Sequence, residues 1–305
     1  MTTNLASKHA PKAQIGIIGG SGLYQMEGFT HLKKIRLTTP FGKPSDPIIL
    51  GTFYGLRVAF LARHGRGHHI LPSGINYRAN IHALKALGVT RVFSVSAVGS
   101  MKETIRPGDF VLPDQFIDRT TQRNNTFFDH GIVAHVAFSD PICGTLSTIL
   151  EKASQGVPVK IHRPGTYLCI EGPQFSSRAE SSLYRQWGVD IIGMTNIPEA
   201  KLAREAELCY ATLALVTDYD CWHETEDAVS VGAILSIMHK NVESAKVVLR
   251  QALELAKDLG TCPCQTALEH AVITPLDRMS PILRKRYQVL LRRQLSTTLR
   301  SKKRS

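Results

Sequence analysis

The chain has 305 residues, 43% of them hydrophobic, enough to bury the core of one large α/β domain. No apolar run reaches the roughly 18 residues of a membrane-spanning helix, and six cysteines in so long a chain argue against a disulfide-stapled scaffold. The formal charge of +12 would suggest a nucleic-acid partner if it were spread over the body, but residues 284–305 alone hold nine Lys or Arg and no acid, leaving 28 basic against 25 acidic residues elsewhere.

The opening MTTNLASKHAPKAQ lacks the charged-then-apolar pattern of a secretory signal, so residues 1–13 read as a disordered leader on a cytoplasmic protein. IGIIG (15–19) reads as a buried strand running into Gly-Ser-Gly. The apolar runs PIILGTF and LRVAFLA follow, then a helix over 76–88 and the strand VFSVSAV (92–98). A second helix covers 178–187, DIIGMT (190–195) is another strand, and a helix covers 198–208. YATLALVTDYD (210–220) is a long strand ending in acids, and 230–259 is a long helix. Such alternation predicts a central sheet flanked by helices. The chain divides into one catalytic domain, 14–275, and a basic C-terminal extension, 276–305. In that extension Leu283, Tyr287, Leu290, Leu291, Leu295 and Leu299 recur at helical spacing, predicting a basic amphipathic helix on an appendage that catalysis does not need.

Loops that follow buried strands are the natural ligand sites of such sheets. Four carry suitable residues: Gly19-Gly20-Ser21-Gly22, Arg63-His64-Gly65, Ser96 to Ser100, and Thr217 to Asp220. Glycines let backbone N–H groups converge on an anion, and Ser21 adds a hydroxyl. The first loop fails the dinucleotide pattern, because Gln25 stands at the third glycine, and Gly42-Lys43 fails the P-loop pattern, because Pro44 follows. Arg63 offers a planar fork to an oxyanion and His64 a nearby donor. Ser96 and Thr195 end apolar runs where hydroxyls and amides could complete a cradle. No carboxylate cluster accompanies them, so no metal is expected there. Cys262-Pro-Cys264 is the one close cysteine pair. Without a second pair at finger-like spacing, no structural metal is expected either.

Asp218 and Asp220 stand at i and i+2 on an extended segment and should point to the same side. Two carboxylates at one strand end, near aliphatic residues and Trp222, should push one pKa upward, so that one donates to a leaving group while the other accepts from an amine. A turn or helix cap would explain the same two acids. Phe175 could stack on an aromatic ring, or belong to the core.

The segments GIIGGSGLY (16–24), TPFGKPSD (39–46), LARHGRGHHILPSGINYRANI (61–81), PGDFVLPDQFIDRTT (107–121), IEGPQFSSRAES (170–181), GMTNIPEAKLAREAELCYA (193–211) and VTDYDCW (216–222) together carry a resemblance. The chain resembles the 5'-methylthioadenosine phosphorylases of the trimeric purine nucleoside phosphorylase family, over roughly residues 14–275. The resemblance implies an α/β/α sandwich around a mixed, partly barrel-like sheet, assembled as a homotrimer or a hexamer. It implies that Ser21, Arg63, His64, Ser96, Ala97 and Thr195 hold phosphate, and that Met194 packs beneath the ribose. Phe175 and Ser176 would line the purine, Asp218 and Asp220 would meet its N7 and N6 edge, and His135 would reach the 5' end of a neighbouring subunit's substrate. Cys262 and Cys264 are similar to a pair that forms a strained disulfide in some relatives; free thiols are expected in a reducing cytoplasm.

The activity so implied is cleavage of 5'-methylthioadenosine by inorganic phosphate, a co-substrate, without a cofactor. A 6-oxopurine nucleoside or methylthioinosine phosphorylase is the alternative. An ionised carboxylate accepts a hydrogen bond from an amino group and repels a carbonyl oxygen, so Thr-Asp-Tyr-Asp favours the 6-aminopurine. Nucleic-acid binding is not expected except through the tail, because the aromatic-interleaved pattern of a nucleic-acid groove is missing.

Overall fold

The structure, a computed structural model, describes residues 12–20, 22–23, 26–223 and 231–301, with side chains omitted at 231–236 and 297–301. Of the leader expected over residues 1–13, residues 1–11 lie outside the described residues, as do Ser21 and the final four residues. Ala13 is not leader but core, buried with its N–H donating to the Leu87 carbonyl at 2.8 Å.

Eleven strands form one mixed sheet: β1 (Ile15–Gly19), β2 (Phe29–Ile35), β3 (Ile48–Phe53), β4 (Leu56–Ala62), β5 (Arg91–Ser100), β6 (Phe110–Val111), β7 (Gln115–Arg119), β8 (Ile161–His162), β9 (Thr166–Ile170), β10 (Ile191–Gly193) and β11 (Cys209–Asp218). The main path runs β2-β3-β4-β1-β5-β10-β9-β7, and β11, β6 and β8 branch from β5. The helices are α1 (Tyr77–Ala86), α2 (Gly144–Ala153), α3 (Arg178–Gln186), α4 (Asn196–Glu205), α5 (Val231–Leu255), α6 (Pro281–Tyr287) and α7 (Arg292–Ser301). α1 packs on α4 and α2 on α5, and α2, α4 and α5 all touch β11. Helices covering the sheet explain why β1 and β11 read as continuous apolar runs: β1 is buried at every position, and β11 at all but Asp218.

One topological detail prepares the site. On one edge of β5, residues 91–94 pair with β1 and residues 99–100 pair with β10. Val95 to Val98 lie between these ladders and have a strand partner only on the β11 side. The sheet forks there, and backbone groups at a fork face a gap rather than a neighbour.

Helix ends follow local chemistry. Asn76 caps α1 by accepting from the Ala79 N–H at 3.1 Å, and Ser177 and Glu180 form a reciprocal capping box at the start of α3. The sequence reading located each helix that flanks the cavity to within a few residues. It missed the exposed β2, the two-residue β6 and β8, the β7–β9 pair and α2.

The C-terminal segment departs from expectation. Its apolar stripe exists, but it faces the protein's own core: Tyr287, Leu290 and Leu291 are fully buried in the main hydrophobic cluster, with Leu283 and Leu295 packed against it. The helix also breaks between α6 and α7, where this buried corner turns. Tyr287 Oη donates to Asp129 Oδ1 at 2.5 Å, Arg286 stacks over the Phe41 ring at 4.8 Å, and Arg293 pairs with Glu207 at 2.9 Å. Residues 276–291 are part of the packed body. Burial of a large apolar side chain stabilises by about 1.5–3 kcal/mol, and a domain's whole margin is about 5–15 kcal/mol. A chain cut after Pro275 is therefore expected to lose the cooperative unfolding transition of the full protein, measured by denaturant titration. An unchanged midpoint would return the segment to the status of an appendage.

Candidate active site

A cavity of about 310 Å³ opens at the fork. Four of its walls are the four loops singled out above: Gly20 and Gly22 after β1, Arg63 and His64 after β4, Ser96 and Ala97 in the stretch of β5 that is paired on one edge only, and Thr217, Asp218 and Asp220 at and just beyond the end of β11. Met194 and Thr195 after β10 and Phe175 before α3 close it, and Met238 and Val242 of α5 add an apolar side. A side chain at Gly20 would project into open space, whereas at Gly99 a Cβ would come within 2.8 Å of Asp218 Oδ1. Gly99 is thus the residue that lets β5 approach the carboxylate.

Arg63 is buried and its fork is already occupied. Nε and Nη2 donate to the two oxygens of Glu199 at 2.8 and 2.9 Å, Nη2 also donates to Ser94 Oγ at 2.6 Å, and Nη1 donates to the Val95 carbonyl at 2.8 Å. Ser94 and Tyr210 donate to Glu199 as well, at 2.8 and 2.9 Å. Burial lowers the pKa of Arg63, but Glu199 more than offsets it, so the guanidinium stays charged. The expectation that Arg63 offers its fork to an anion is corrected on this point. Five N–H groups serve four in-chain contacts, leaving one Nη1 hydrogen for the cavity. Glu199, buried on α4, escaped the sequence reading because an acid amid a helical pattern looks like a solvated face.

His64 is corrected similarly. Its Nδ1 lies 2.8 Å from the Ile70 carbonyl, an acceptor, so Nδ1 carries the proton. Burial pushes the imidazole down to about 4, which leaves it neutral and Nε2 an acceptor rather than the donor expected. His68 stacks on it at 4.1 Å between ring centroids. Ser96 donates to Asn196 Oδ1 at 3.0 Å, and Thr195 precedes α4 without capping it.

Arg123, a second residue missed in the sequence, fixes the opposite rim. It donates to the Met194, Ile197 and Glu171 carbonyls at 2.6, 2.7 and 2.6 Å and pairs with the Glu171 carboxylate at 2.9 Å. The Met194 carbonyl is thereby occupied. Gly172, at φ +69°, leaves room for the Met194 thioether, which a Cβ would meet at 2.5 Å.

The two acids meet at the cavity but not on one extended segment. β11 carries a bulge between Val216 and Asp218 and stops there; Asp220 sits in a turn at φ +54°. Its N–H donates to Asp218 Oδ1 at 2.8 Å, and Thr217 donates to Asp218 Oδ2 at 2.7 Å. The turn-cap and cavity readings of Asp218 are both realised. Asp220 is buried, accepts from Ser181 Oγ at 2.6 Å, and has its pKa raised by burial, with the Asp218 charge adding to the effect.

Two expected residues do not line the cavity. Ser176 lies behind it, near enough for its hydroxyl to favour the ionised Asp220 carboxylate, and its carbonyl accepts from Cys221 Sγ. His135 is exposed on a segment whose N–H donates to the Ala271 carbonyl, outside this chain's cavity. Phe175 lines the mouth and is 48% exposed.

The sequence pattern described as the phosphorylase superfamily matches residues 14–254. An S-methyl-5'-thioadenosine phosphorylase of Koribacter versatilis is 56% identical, covering 92% of this chain and 96% of that protein. One of Geobacter sulfurreducens is 59% identical, covering 85% and 91%. A crystal structure of a methylthioadenosine phosphorylase from an antarctic soil metagenomic library matches with a TM-score of 0.89 at 52% identity, over 92% of this chain and 99% of that one.

The state of His64 is directly measurable. Its C–H resonances are expected to titrate near pH 4, where an exposed imidazole would titrate near 6.5. Because the folded pKa is the lower one, its contribution to stability is full above about 6.5 and is lost as the pH falls toward 4. A midpoint near 6.5 would show that the ring is solvated and free to donate.

Proposed function

We infer the activity from one premise: this chain belongs to the phosphorylase superfamily and, within it, to the S-methyl-5'-thioadenosine phosphorylase family. The chain cleaves 5'-methylthioadenosine with inorganic phosphate, giving adenine and 5-methylthioribose 1-phosphate. The observation that carries this is one cavity with a hydroxyl-, amide- and cation-lined end at Gly20, Arg63, Ser96 and Thr195 and a paired-carboxylate end at Asp218 and Asp220.

Phosphate binds at the first end. The remaining Nη1 hydrogen of Arg63, the Thr195 hydroxyl, the Ala97 amide and the expected Ser21 hydroxyl hold its oxygens. Ser96 lines the same end but spends its proton on Asn196 Oδ1, and neutral His64 accepts a hydrogen bond from a protonated phosphate oxygen. The ribose lies over Met194, and the purine runs past Phe175 with Ser176 behind it. Asp218 donates a proton to N7 while Asp220 accepts from the N6 amino group. As the C1'–N9 bond breaks, its electron pair goes to the protonated base. Positive charge develops at C1', the phosphate stabilises it electrostatically, and a phosphate oxygen then bonds to C1'. No covalent intermediate with the protein is needed.

One observation favours the reverse assignment within the pair. Burial raises the pKa of Asp220, which suits that residue to hold the proton. Either way, a carboxylate facing position 6 selects an amino group over a carbonyl.

The mouth at Phe175 is open in a single chain, and His135 lies outside its cavity. A homotrimer in which a neighbour covers Phe175 and contributes its His135 would complete the site; a hexamer would satisfy the same need. A cytoplasmic setting and a role in purine and methionine salvage belong to the same reading. No described helix is long and apolar enough to cross a membrane.

Replacing the general acid by its amide should lower kcat/KM for methylthioadenosine by about 10²–10⁴-fold. Steady-state kinetics of Asp218→Asn and Asp220→Asn on methylthioadenosine and inosine identify which residue that is. Loss in Asp218→Asn, with inosine turnover falling far less or rising, is the expected result. If both variants release adenine at the wild-type rate, the carboxylate pair is not the proton source.

A further inference from the structure

Four cysteines far apart in the chain converge at the end of β11 opposite Asp218, about 30 Å of extended strand away. Cys143 precedes α2, and its N–H donates to the Tyr210 carbonyl at 2.8 Å. Cys209 opens β11, and its N–H donates to the Thr90 carbonyl at 3.0 Å. Cys262 and Cys264 flank Pro263 in the turn after α5. Arg91 pins that turn by donating to the Leu259 and Gly260 carbonyls, both at 2.6 Å. Three anchored segments thus present four sulfurs that all lie within 4.8 Å of one another, none of them in a disulfide. Finger-like spacing was the wrong sign to look for, because two of the four residues arrive singly, more than 50 residues apart.

We propose that Cys143, Cys209, Cys262 and Cys264 form a structural site for one divalent thiophilic cation, with zinc the best match to four sulfurs. Zinc–sulfur bonds of about 2.3 Å in a tetrahedron place the sulfurs about 3.8 Å apart. Cys143 and Cys262 already stand 3.7 Å apart, and the widest separation has to close by about 1 Å. Cys143 and Cys209 are buried and Cys262 and Cys264 half-buried, next to a small cavity of about 60 Å³ that gives the ion a way in. Binding releases the four thiol protons to solvent and leaves a shell of net charge −2. Arg91 on the cavity wall and Lys85, within electrostatic reach of Cys209, offset that charge. A closed four-sulfur shell leaves no position for substrate, so the ion would tie α2, β11 and the turn after α5 together without entering the reaction.

The test uses the full chain, purified from zinc-supplemented cells without a metal-affinity step. One zinc per chain by elemental analysis is expected, with four thiols protected from alkylation until a chelator is added. Cobalt(II) added to the metal-free protein should give the absorption of a tetrahedral tetrathiolate. Cys264→Ser, at a half-buried position, should abolish the zinc and cobalt signals while still cleaving methylthioadenosine; Cys143→Ser provides a second, fully buried variant. Substoichiometric metal with all thiols freely alkylated would overturn the proposal. So would an intact mass lighter by two hydrogens per bond, which identifies disulfides in place of the ion.

Discussion

A buried guanidinium and a buried carboxylate are tolerable only if nearly every donor and acceptor is matched, and that condition shapes the middle of this molecule. Arg63 and Glu199 meet it through Ser94, the Val95 carbonyl and Tyr210. Arg63 follows β4 and Glu199 lies on α4, while their partners come from β5 and β11, so the pair ties four parts of the fold together beside the fork. The pair therefore holds a positive group under the cavity floor at a fixed position, and its geometry is set before any anion arrives. Removing one partner would leave the other charge buried alone, at a cost of about 3–5 kcal/mol.

The fork explains why the cavity is where it is. β5 changes neighbours between Ser94 and Gly99, and the four residues between have no strand partner on that edge, where the Val95 carbonyl accepts from Arg63 instead. An anion can take up the amides such a gap leaves. Bulges and turns play the same part at the other end, where β11 stops at Asp218 and a left-handed turn brings Asp220 back to the same cavity. Both ends of the site are places where regular pairing ends.

Much of this was legible in the sequence. Apolar runs marked β1, β4, β5 and β11, and the polar residues at their ends were the right ones to single out because both faces of the sheet are covered. Three things stayed hidden for physical reasons. Glu199 and Arg123 act mainly through distant partners, such as Arg63, 136 positions from Glu199, and Met194, 71 positions from Arg123, which no local pattern encodes. The directions of the donors at Arg63 and His64 depend on the Glu199 carboxylate and the Ile70 carbonyl, partners seen only in three dimensions. The apolar stripe among the basic C-terminal residues was visible, but not that it docks on Phe41, Phe128 and Asp129 of the same chain, so charge density was a poor guide to solvation.

The central claim is that the Arg63–Glu199 pair fixes the phosphate end of the site. Steady-state kinetics of Glu199→Gln, with phosphate and methylthioadenosine varied in turn, test it most directly. A glutamine keeps the shape but cannot accept from Arg63 on both atoms, so Arg63 loses its fixed position while keeping its charge. A several-fold rise in KM for phosphate, a smaller change in KM for the nucleoside and a lower unfolding midpoint are expected. A variant that keeps the wild-type KM for phosphate and the wild-type midpoint would contradict it.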